Sequence, residues 1–365
     1  MWPESSEQPK PLRTGLTTGA CATACCVAAA HQLFEGTPIA EASITLPKGK
    51  IVDMAICESG GDAQAAFAST IKDAGDDPDV THGAKVRVDL AKQSHPGVEF
   101  KAGYGVGTVT RDGLLIPVGE PAINPVPRQM MRMHLEAIAK HHGFHQGFSV
   151  TVSVADGEQL AKKTMNPKLG IHGGLSILGT TGIVRPFSCS AYIASIHQAV
   201  DVANANGIAH IAATTGNSSE DYAKARFGLS DMALVEMGDF VGALLKHLRK
   251  QPIKQVTLCG GFGKLSKLAQ GHMDLHSNAS SIDFDFLADL AQSNGADGTL
   301  IKTMLTANTS VQALKYCQAN GIELGNAICQ KAYHAAKQTI RHDLLLNVIA
   351  INRQGACVGQ FGDHL

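Results

Sequence analysis

The sequence predicts two domains of mixed α and β class: an N-terminal α+β layered domain over residues 1–149, followed by a C-terminal α/β domain with a mainly parallel sheet over residues 150–365. The chain has 365 residues, which exceeds the ~250–300 residues that one hydrophobic core usually serves. In the first part, several strand-like runs lie between two helical segments, whereas strands and helices alternate in the second part. The first pattern is typical of an α+β layer, and the second of a parallel sheet covered by helices.

The first domain opens with a helix of small residues, predicted over residues 19–34, and closes with a helix near residues 128–142. Between them lie runs with the apolar and β-branched residues of strands. These runs cover residues 42–47, 50–58, 65–75, 84–92 and 98–110.

Residues 103–128, GYGVGTVTRDGLLIPVGEPAINPVPR, combine alternating glycines with several prolines. Loops of this length within a compact domain are more often functional or disordered than idle. Because the regular Gly and Pro pattern argues against disorder, we interpret this segment as a binding loop.

The second domain begins with a run rich in Val and continues with strands that are nearly continuous in apolar residues, as in a sheet with both faces covered. Strands are predicted over residues 148–155, 207–216, 232–238, 254–261 and 346–352, the last of these closing the domain. Helices are predicted over residues 190–206, 218–227 and 239–250, from about residue 263, and over 284–295, 308–319 and 325–340.

Composition excludes several classes of function. The hydrophobic content of 44% and the net charge of −1 describe a globular protein without the basic imbalance of a nucleic-acid binder. No stretch reaches the ~18 apolar residues of a membrane span, and the N-terminus lacks the cationic start and apolar core of a signal peptide. We therefore expect a cytoplasmic protein with no nucleic-acid or membrane partner, and its nine cysteines as free thiols.

Three loops that follow predicted strands carry candidate ligand-binding residues, because ligands of open parallel sheets collect beyond the carboxyl ends of the strands. Glycines in such loops let backbone amides approach a ligand, and a following helix N-terminus favours anions. A glycine-rich packing turn is the alternative for the third loop. The candidates for cofactor binding are Thr215 and Gly216 in the first loop, Glu236 in the second, and Gly260, Gly261 and Gly263 in the third.

Helix capping competes with ligand binding at these loops. Ser218 and Asp221 have the spacing of a capping box at the start of the helix after Gly216. For Asp239 we favour a cap of the following helix. Glu236 suits a ligand hydroxyl and a cap equally well.

Two clusters resemble metal sites but favour other interpretations. His272 and His276 have the i, i+4 spacing that would place both imidazoles on one face of a helix. No glutamate of a zinc-protease motif lies between them, so we favour substrate contact or proton transfer. Residues 71–83, IKDAGDDPDVTHG, gather carboxylates, yet Asp-Asp-Pro-Asp is also strong turn chemistry, which we favour.

The stretch LRTGLTTGACATACC, residues 12–26, places three cysteines behind threonines and glycines. A zinc site would need further ligands that no neighbouring residue supplies. We therefore predict a closely packed helix with buried thiols, capped by Thr17 or Thr18, with the open amide end and the threonines facing a ligand.

Several of these segments together resemble the CbiD family of methyltransferases from anaerobic cobalamin biosynthesis. The matching segments are LRTGLTTGACATA, IKDAGDDPDVTHG, GVGTVTRDGL with PVGEPAINPVPR, KLGIHGGLSILGTTGIVRPFS and GKLSKLAQGHMDLHS, and they span about residues 12–280. The resemblance implies transfer of a methyl group from S-adenosylmethionine to ring carbon C1 of cobalt-precorrin-5B, which gives cobalt-precorrin-6A. Cobalt would then enter with the substrate, and no metal bound by the protein itself is expected.

A macrocycle with many carboxylates calls for dispersed cations and helix amide ends. The substrate candidates are Arg13, Thr17, Thr18, Arg128, Thr180, Thr181, Arg185 and Lys264, with Lys168 as a weaker one. We expect the donor at the strand tips of the second domain and the macrocycle against the 103–128 loop. His272 or His276 would tune charge on the ring as acid or base.

Two other functions remain open from the residues alone. A non-catalytic carrier of corrinoids or cobalt tetrapyrroles would bind the ring without a methyl donor. A phosphate-handling enzyme could use CGGFGK as an anion cradle, although Leu265 follows Lys264 where a P-loop has Ser or Thr. The sequence leaves self-association open as well.

Overall fold

The computed structural model describes residues 11–251, 253–341 and 343–365. They fold into two compact units, the first extending to Ser188 and the second beginning at Cys189. The first unit is α+β and the second is α/β with a mainly parallel sheet, so the predicted fold class is confirmed. Within the described ranges, no helix is both long enough and apolar enough for a membrane crossing.

The division after Ser188 differs from the predicted boundary after residue 149. The strand Gly147–Val154 pairs along its length with a strand of the first sheet, and the short strand Ile183–Val184 pairs with Gly15–Leu16. Because backbone hydrogen bonds tie both segments to the N-terminal part, residues 150–188 belong to the first unit. The alternation of strands and helices begins before the second unit does.

The first unit contains short and long strands and three helices. The strands are β1 (Gly15–Leu16), β2 (Glu41–Thr45), β3 (Ile51–Ala55), β4 (Glu58–Gly61), β5 (Ala65–Ile71), β6 (Lys85–Gln93), β7 (Val98–Ala102), β8 (Gly105–Val106), β9 (Thr108–Val109), β10 (Gly147–Val154), β11 (Ile171–His172), β12 (Gly174–Leu175) and β13 (Ile183–Val184). The helices are α1 (Thr18–Glu35), α2 (Pro125–His141) and α3 (Gly157–Ala161).

The main sheet of this unit has the order β4-β5-β6-β10-β7, antiparallel except for the parallel pair β10 and β7. Helix α1 packs on β5, β6 and α2, and small residues permit this close approach. Cys25, for example, donates its thiol to Val86 O at 3.5 Å. Thr17 caps the helix by accepting from Ala20 N at 3.2 Å, and Gly36 ends it in the left-handed region.

The second unit carries the parallel sheet. Its strands are β14 (His210–Thr214), β15 (Leu234–Glu236), β16 (Gln255–Gly261), β17 (Leu345–Ile351) and β18 (Cys357–Gly362). Its helices are α4 (Cys189–Ala205), α5 (Asn217–Phe227), α6 (Val241–Leu248), α7 (Phe262–Ala269), α8 (Phe284–Ser293), α9 (Gly298–Leu305), α10 (Ser310–Ala319) and α11 (Leu324–Ile340), with a 3-10 turn at Asp231–Ala233.

The order of this sheet is β15-β14-β16-β17-β18, and only β18 runs antiparallel. The prediction that the strand at residues 346–352 closes the domain is wrong, because β18 follows it and pairs with β17. Two glycines and a glutamine within β18 obscure its strand pattern. Helix α9 was not predicted either, since it is short and begins at Gly298.

Candidate active site

The C-terminal ends of three parallel strands in the second unit lie side by side. Thr214 at the end of β14 pairs with Glu236 of β15 on one side and with Cys259 of β16 on the other. Each strand leads through a short loop into a helix, α5, α6 or α7. The predicted cofactor residues therefore come from three separate segments to one edge of the sheet, where ligands of such sheets collect.

Lys264 connects these loops. Its Nζ donates to Thr215 O at 3.2 Å and lies 3.1 Å from Asp239 Oδ1, an ion-pair distance without hydrogen-bond geometry. The prediction that Asp239 caps α6 is wrong. Phe240 is the N-cap residue of α6, and no side chain accepts a capping hydrogen bond from the first amides of that helix. Lys264, predicted to bind substrate, has contacts within the chain that hold the edge together.

Two of the predicted glycines face open space and two are closely packed. A Cβ added to Gly216 or Gly261 would have no heavy atom within 4 Å. A Cβ at Gly260 would lie 2.7 Å from the Thr215 side chain, and one at Gly263 would lie 2.9 Å from Ser310 Oγ. Gly216 and Gly261 thus leave room for a ligand, whereas Gly260 and Gly263 permit contacts within the chain.

The helix after Gly216 is not capped as predicted. Helix α5 begins at Asn217 with Gly216 as its N-cap residue, and no side chain caps it. Ser219, rather than Ser218, serves the loop, since its Oγ accepts from Thr215 N at 3.0 Å and donates to Gly216 O at 2.6 Å. The capping-box prediction for Ser218 and Asp221 is therefore wrong, and the first amides of α5 have no cap.

Tyr192 of α4 is a residue of this edge that the sequence pattern missed. Burial, followed by the charge and hydrogen bonding of Glu236, raises the pKa of the Tyr192 phenol well above its usual range. Gly238 lies beneath the ring, where a Cβ would be 2.8 Å from the phenol oxygen. The Tyr192 and Phe240 ring centroids are 5.5 Å apart. Tyr192 belongs to no motif of the sequence. The one signal that could have drawn attention to it is that tyrosine is scarce in this chain, with five in all.

His272 and His276 do not share a helix face, because residues 271–276 are not helical. Gly271 adopts a positive φ of 87° after the end of α7. His276 is exposed and accepts from Asn278 N at 3.2 Å through Nδ1, while Asp274 holds its backbone amide. His272, in the same non-helical segment, is half-buried, so the two imidazoles occupy different environments.

In the first unit, the predicted open end of α1 is covered. Thr17 and Thr18 are 6% and 4% exposed. The Thr18 hydroxyl accepts from Leu178 N at 3.1 Å, and Gly19 N donates to Leu178 O at 3.0 Å. The Thr17 cap is confirmed, but the prediction that these threonines face a ligand is wrong, because residues 178–182 lie against them.

Two predicted substrate arginines are bound to the chain itself. Arg128 donates to Ile123 O at 2.8 Å, to Pro121 O at 2.9 Å and to Glu120 Oε2 at 3.0 Å. Arg13 forms a two-pronged ion pair with Asp73, whose pKa it lowers to about 2. Their guanidinium groups each hold a loop of the chain in place, so neither arginine is free to pair with a substrate carboxylate.

The segment before Ser188 keeps one free cation among the predicted residues. Arg185 is exposed and has no hydrogen bond or ion pair with any described residue. Thr180 is exposed as well, whereas the Thr181 hydroxyl accepts from Ile183 N at 3.3 Å. Lys168 is half-buried.

The cysteines of α1 form no metal site. Cys21, Cys25 and Cys26 are each 0% exposed, and burial raises the pKa of each thiol, that of Cys21 to about 12. This confirms the closely packed helix. No cluster of three or more His, Cys, Asp or Glu able to hold a metal ion occurs among the described ranges.

The acidic segment 71–83 forms a turn held by its own side chains. Lys72 is 1% exposed and donates to Asp79 Oδ2 at 2.6 Å. Burial raises the pKa of Asp79, but hydrogen bonds from Lys72 and Thr81 outweigh it, so that the pKa is lowered overall. The turn interpretation of this segment therefore agrees with the structure.

Comparison with known proteins identifies relatives along the whole chain. The family model CbiD matches residues 5–186, and the model "CbiD, C-terminal domain" matches residues 274–362. A protein of Marinomonas sp. (strain MWYL1) is 59% identical over 99% of this chain and 97% of its own length. One from Burkholderia orbicola (strain MC0-3) is 60% identical, with 98% of each chain covered. Both are named cobalt-precorrin-5B C(1)-methyltransferase.

A solved structure, the cobalamin biosynthesis protein CbiD from Archaeoglobus fulgidus, is 30% identical and covers 69% of this chain and 78% of that chain, with a TM-score of 0.39. The identity to the two curated relatives extends over nearly the full length, and both family models match in order. The chain belongs to the CbiD family.

Proposed function

We propose that this protein is a cobalt-precorrin-5B C(1)-methyltransferase of cobalamin biosynthesis, with S-adenosylmethionine as methyl donor and cobalt-precorrin-6A as product. The observation that carries this proposal is the identity of about 60% over nearly the whole chain to proteins of that name. The non-catalytic carrier, open from the residues alone, gains no support, since these relatives are named as enzymes. A cytoplasmic location and self-association stay predictions.

The sheet edge of the second unit supports a donor site. Gly216 and Gly261 leave open space, and the helices that follow them begin without side-chain caps. Uncapped helix amides favour an anionic group such as the donor carboxylate. Glu236 lies at the same edge, and its carboxylate favours the positive charges of a sulfonium and an amino group, whereas Asp239 is already paired with Lys264.

The chemistry needs no nucleophile from the protein. The ring carbon supplies the electron pair that forms the new carbon–carbon bond, while the bond between sulfur and methyl breaks and its electrons return to sulfur. Such an in-line displacement is accelerated mainly by alignment and by exclusion of water. Proton transfer by His272 or His276, and substrate contacts by Thr180 and Arg185, stay predictions.

Turnover tests the proposed function directly. Anaerobic incubation of the full chain with cobalt-precorrin-5B and S-adenosylmethionine carrying a labelled methyl group should give a labelled ring product by mass spectrometry. Heat-inactivated protein serves as the control. A ring product without label, or the absence of any methylated ring, would contradict the assignment.

A bulky side chain at Gly261 tests the place of the donor. We expect Gly261→Trp to remain folded, since a Cβ there meets open space, and to lose binding of S-adenosylmethionine below calorimetric detection. Gly298→Trp is the matched control, because that glycine also opens to free space but lies at the start of α9. Wild-type affinity in Gly261→Trp would show that the donor lies elsewhere.

A further inference from the structure

A groove runs along α6 in the second unit, beside the sheet edge. It encloses about 640 Å³ and is lined by residues of α4, α6 and the loop after α7. This volume lies within the roughly 300–1,000 Å³ typical of sites for small molecules. Nothing in the predicted site residues explains it.

The groove is built by close contact between α6 and the loop at Met273. Gly242 donates its amide to Met273 O at 2.9 Å, and a Cβ at Gly242 would lie 2.6 Å from Met273 Cβ. Met273, Phe240 and Ile193 contribute apolar surface to the lining. This surface suits a flat, mainly apolar ligand.

Two histidines form a flat wall of the groove. The rings of His197 and His247 stack with centroids 4.1 Å apart and an interplanar angle of 9°. His247 Nε2 lies 2.6 Å from Asp201 Oδ1, an oxygen that also accepts from Gln251. Burial and the neighbouring His247 lower the pKa of His197. Asp201 is thereby engaged with His247 and Gln251.

Cations dominate the rim of the groove. Lys246, Arg249 and Lys250 line it, against the single lining carboxylate of Asp274. The side-chain ammonium groups of Lys246 and Lys250 have no hydrogen bond or ion pair with any residue that the structure describes. Arg249 Nε donates to Thr339 O at 2.6 Å. The excess of positive charge selects for a ligand with several anionic groups.

Charge also separates this groove from the donor site. S-adenosylmethionine bears a sulfonium and an ammonium against one carboxylate, so a cationic rim disfavours it. The sheet edge instead presents Glu236 together with the Asp239–Lys264 pair. The two regions adjoin, because Phe240 lines the groove and contacts Tyr192, which hydrogen-bonds Glu236.

We propose that the groove binds the tetrapyrrole substrate, with the apolar surface and the imidazole stack against the ring and with Lys246, Arg249 and Lys250 pairing with its carboxylates. This inference rests on the proposed function and gives the acceptor a place in the second unit. It differs from the expectation that the macrocycle lies against the 103–128 loop.

Charge reversal at the rim of the groove tests the proposal. We use uroporphyrin, a metal-free tetrapyrrole with carboxylates on every pyrrole ring, as the probe, and follow its binding by fluorescence. The double variant Lys246→Glu with Lys250→Glu should bind uroporphyrin about 10-fold or more weakly, since each attraction between a lysine and a carboxylate of the ring becomes a repulsion between two carboxylates. Binding of S-adenosylmethionine by calorimetry should stay at the wild-type level, and the KM for cobalt-precorrin-5B should rise.

Lys302→Glu with Lys315→Glu is the matched control. Both lysines are exposed on α9 and α10, and the net charge changes by the same amount. Equal weakening in the two double variants would overturn the proposal, because general charge rather than the groove would then bind the ring. Unchanged binding of uroporphyrin by the Lys246→Glu, Lys250→Glu variant would also overturn the proposal, as would the absence of uroporphyrin binding by the wild type. If the wild type still methylates cobalt-precorrin-5B, the proposed function stands even where the groove assignment fails.

Discussion

The guanidinium of Arg128 reaches three acceptors within one loop, although the sequence suggested a substrate contact. Its side chain is 21% exposed, and its partners are Glu120, Pro121 and Ile123. An arginine at the end of a Pro-rich loop satisfies either interpretation from spacing alone, because the pattern does not show where the loop carbonyls point. Because all three acceptors of the Arg128 guanidinium belong to residues 120–123, the structure favours a role in holding that loop.

Removal of this side chain should therefore cost stability. We expect Arg128→Ala to lower the free energy of unfolding by about 2 kcal/mol, since three carbonyl or carboxylate acceptors lose a charged donor. Arg132→Ala is the control, because Arg132 lies one turn later on α2, is exposed, and has its guanidinium carbon 5.7 Å from the Phe100 ring centroid with no side-chain hydrogen bond to any described residue. Thermal unfolding of both variants measures the difference. An unchanged Tm for Arg128→Ala with a raised substrate KM would instead support a role in binding.

At the scale of elements, glycine contacts fix where α11 lies. A Cβ on Gly325 would lie 1.7 Å from Val358 O, and Gly359 of β18 approaches the same helix residue. Since backbone atoms of a strand cannot move away as a flexible side chain can, this contact requires glycine on the helix. It also holds the antiparallel strand that the hydrophobic pattern did not reveal.

Two alanine substitutions separate a packing requirement from helix propensity. Gly325→Ala should destabilise the protein by about 1–3 kcal/mol through overpacking. Gly298→Ala, at the open start of α9, should be neutral or stabilise by about 0.5 kcal/mol, because alanine restricts the unfolded chain. Urea unfolding measures both. A loss of similar size in the two variants would refute the close contact as the cause.

Most elements could be predicted because their periodicity is local. The small-residue helix, the strands that end at Glu236 and Gly261, and the helix after Gly216 all agree with the pattern within a few residues. Thr17 was predicted as a cap of α1, but the caps of the helices in the second unit were not predicted correctly. Ser219 rather than Ser218 serves the loop after β14, because a hydroxyl one position away has the same chemistry and only the backbone direction distinguishes them.

At the scale of the whole molecule, the sequence predicted two units of the right classes but not where the chain passes between them. Strand β10 belongs to the first sheet through pairing with β6 and β7, which lie far from it along the chain. Such pairing depends on contacts that no local window contains. The same reason explains why the α6 groove was missed, since His197 is on α4 while His247 and Lys246 are on α6, with β14, α5 and β15 between the two helices.

The groove also shows what a list of motifs leaves out. Lys246 lies on α6, and Arg249 and Lys250 lie in the turn directly after it, where such a run of cations predicts only a solvated face. Their significance comes from Met273 and the histidine stack beside them. Tyr192 was missed for a related reason, because it lies on α4 and its partner Glu236 lies on β15, far along the chain.

Helix α1 has no solvent-facing side along most of its length, because its residues from Thr18 to Ala30 are all buried. A larger side chain at these buried positions would have to displace neighbouring atoms, and overpacking of this kind destabilises a fold. Few exchanges of residue type are therefore compatible with α1, which limits what this stretch of the chain can become without loss of the first unit.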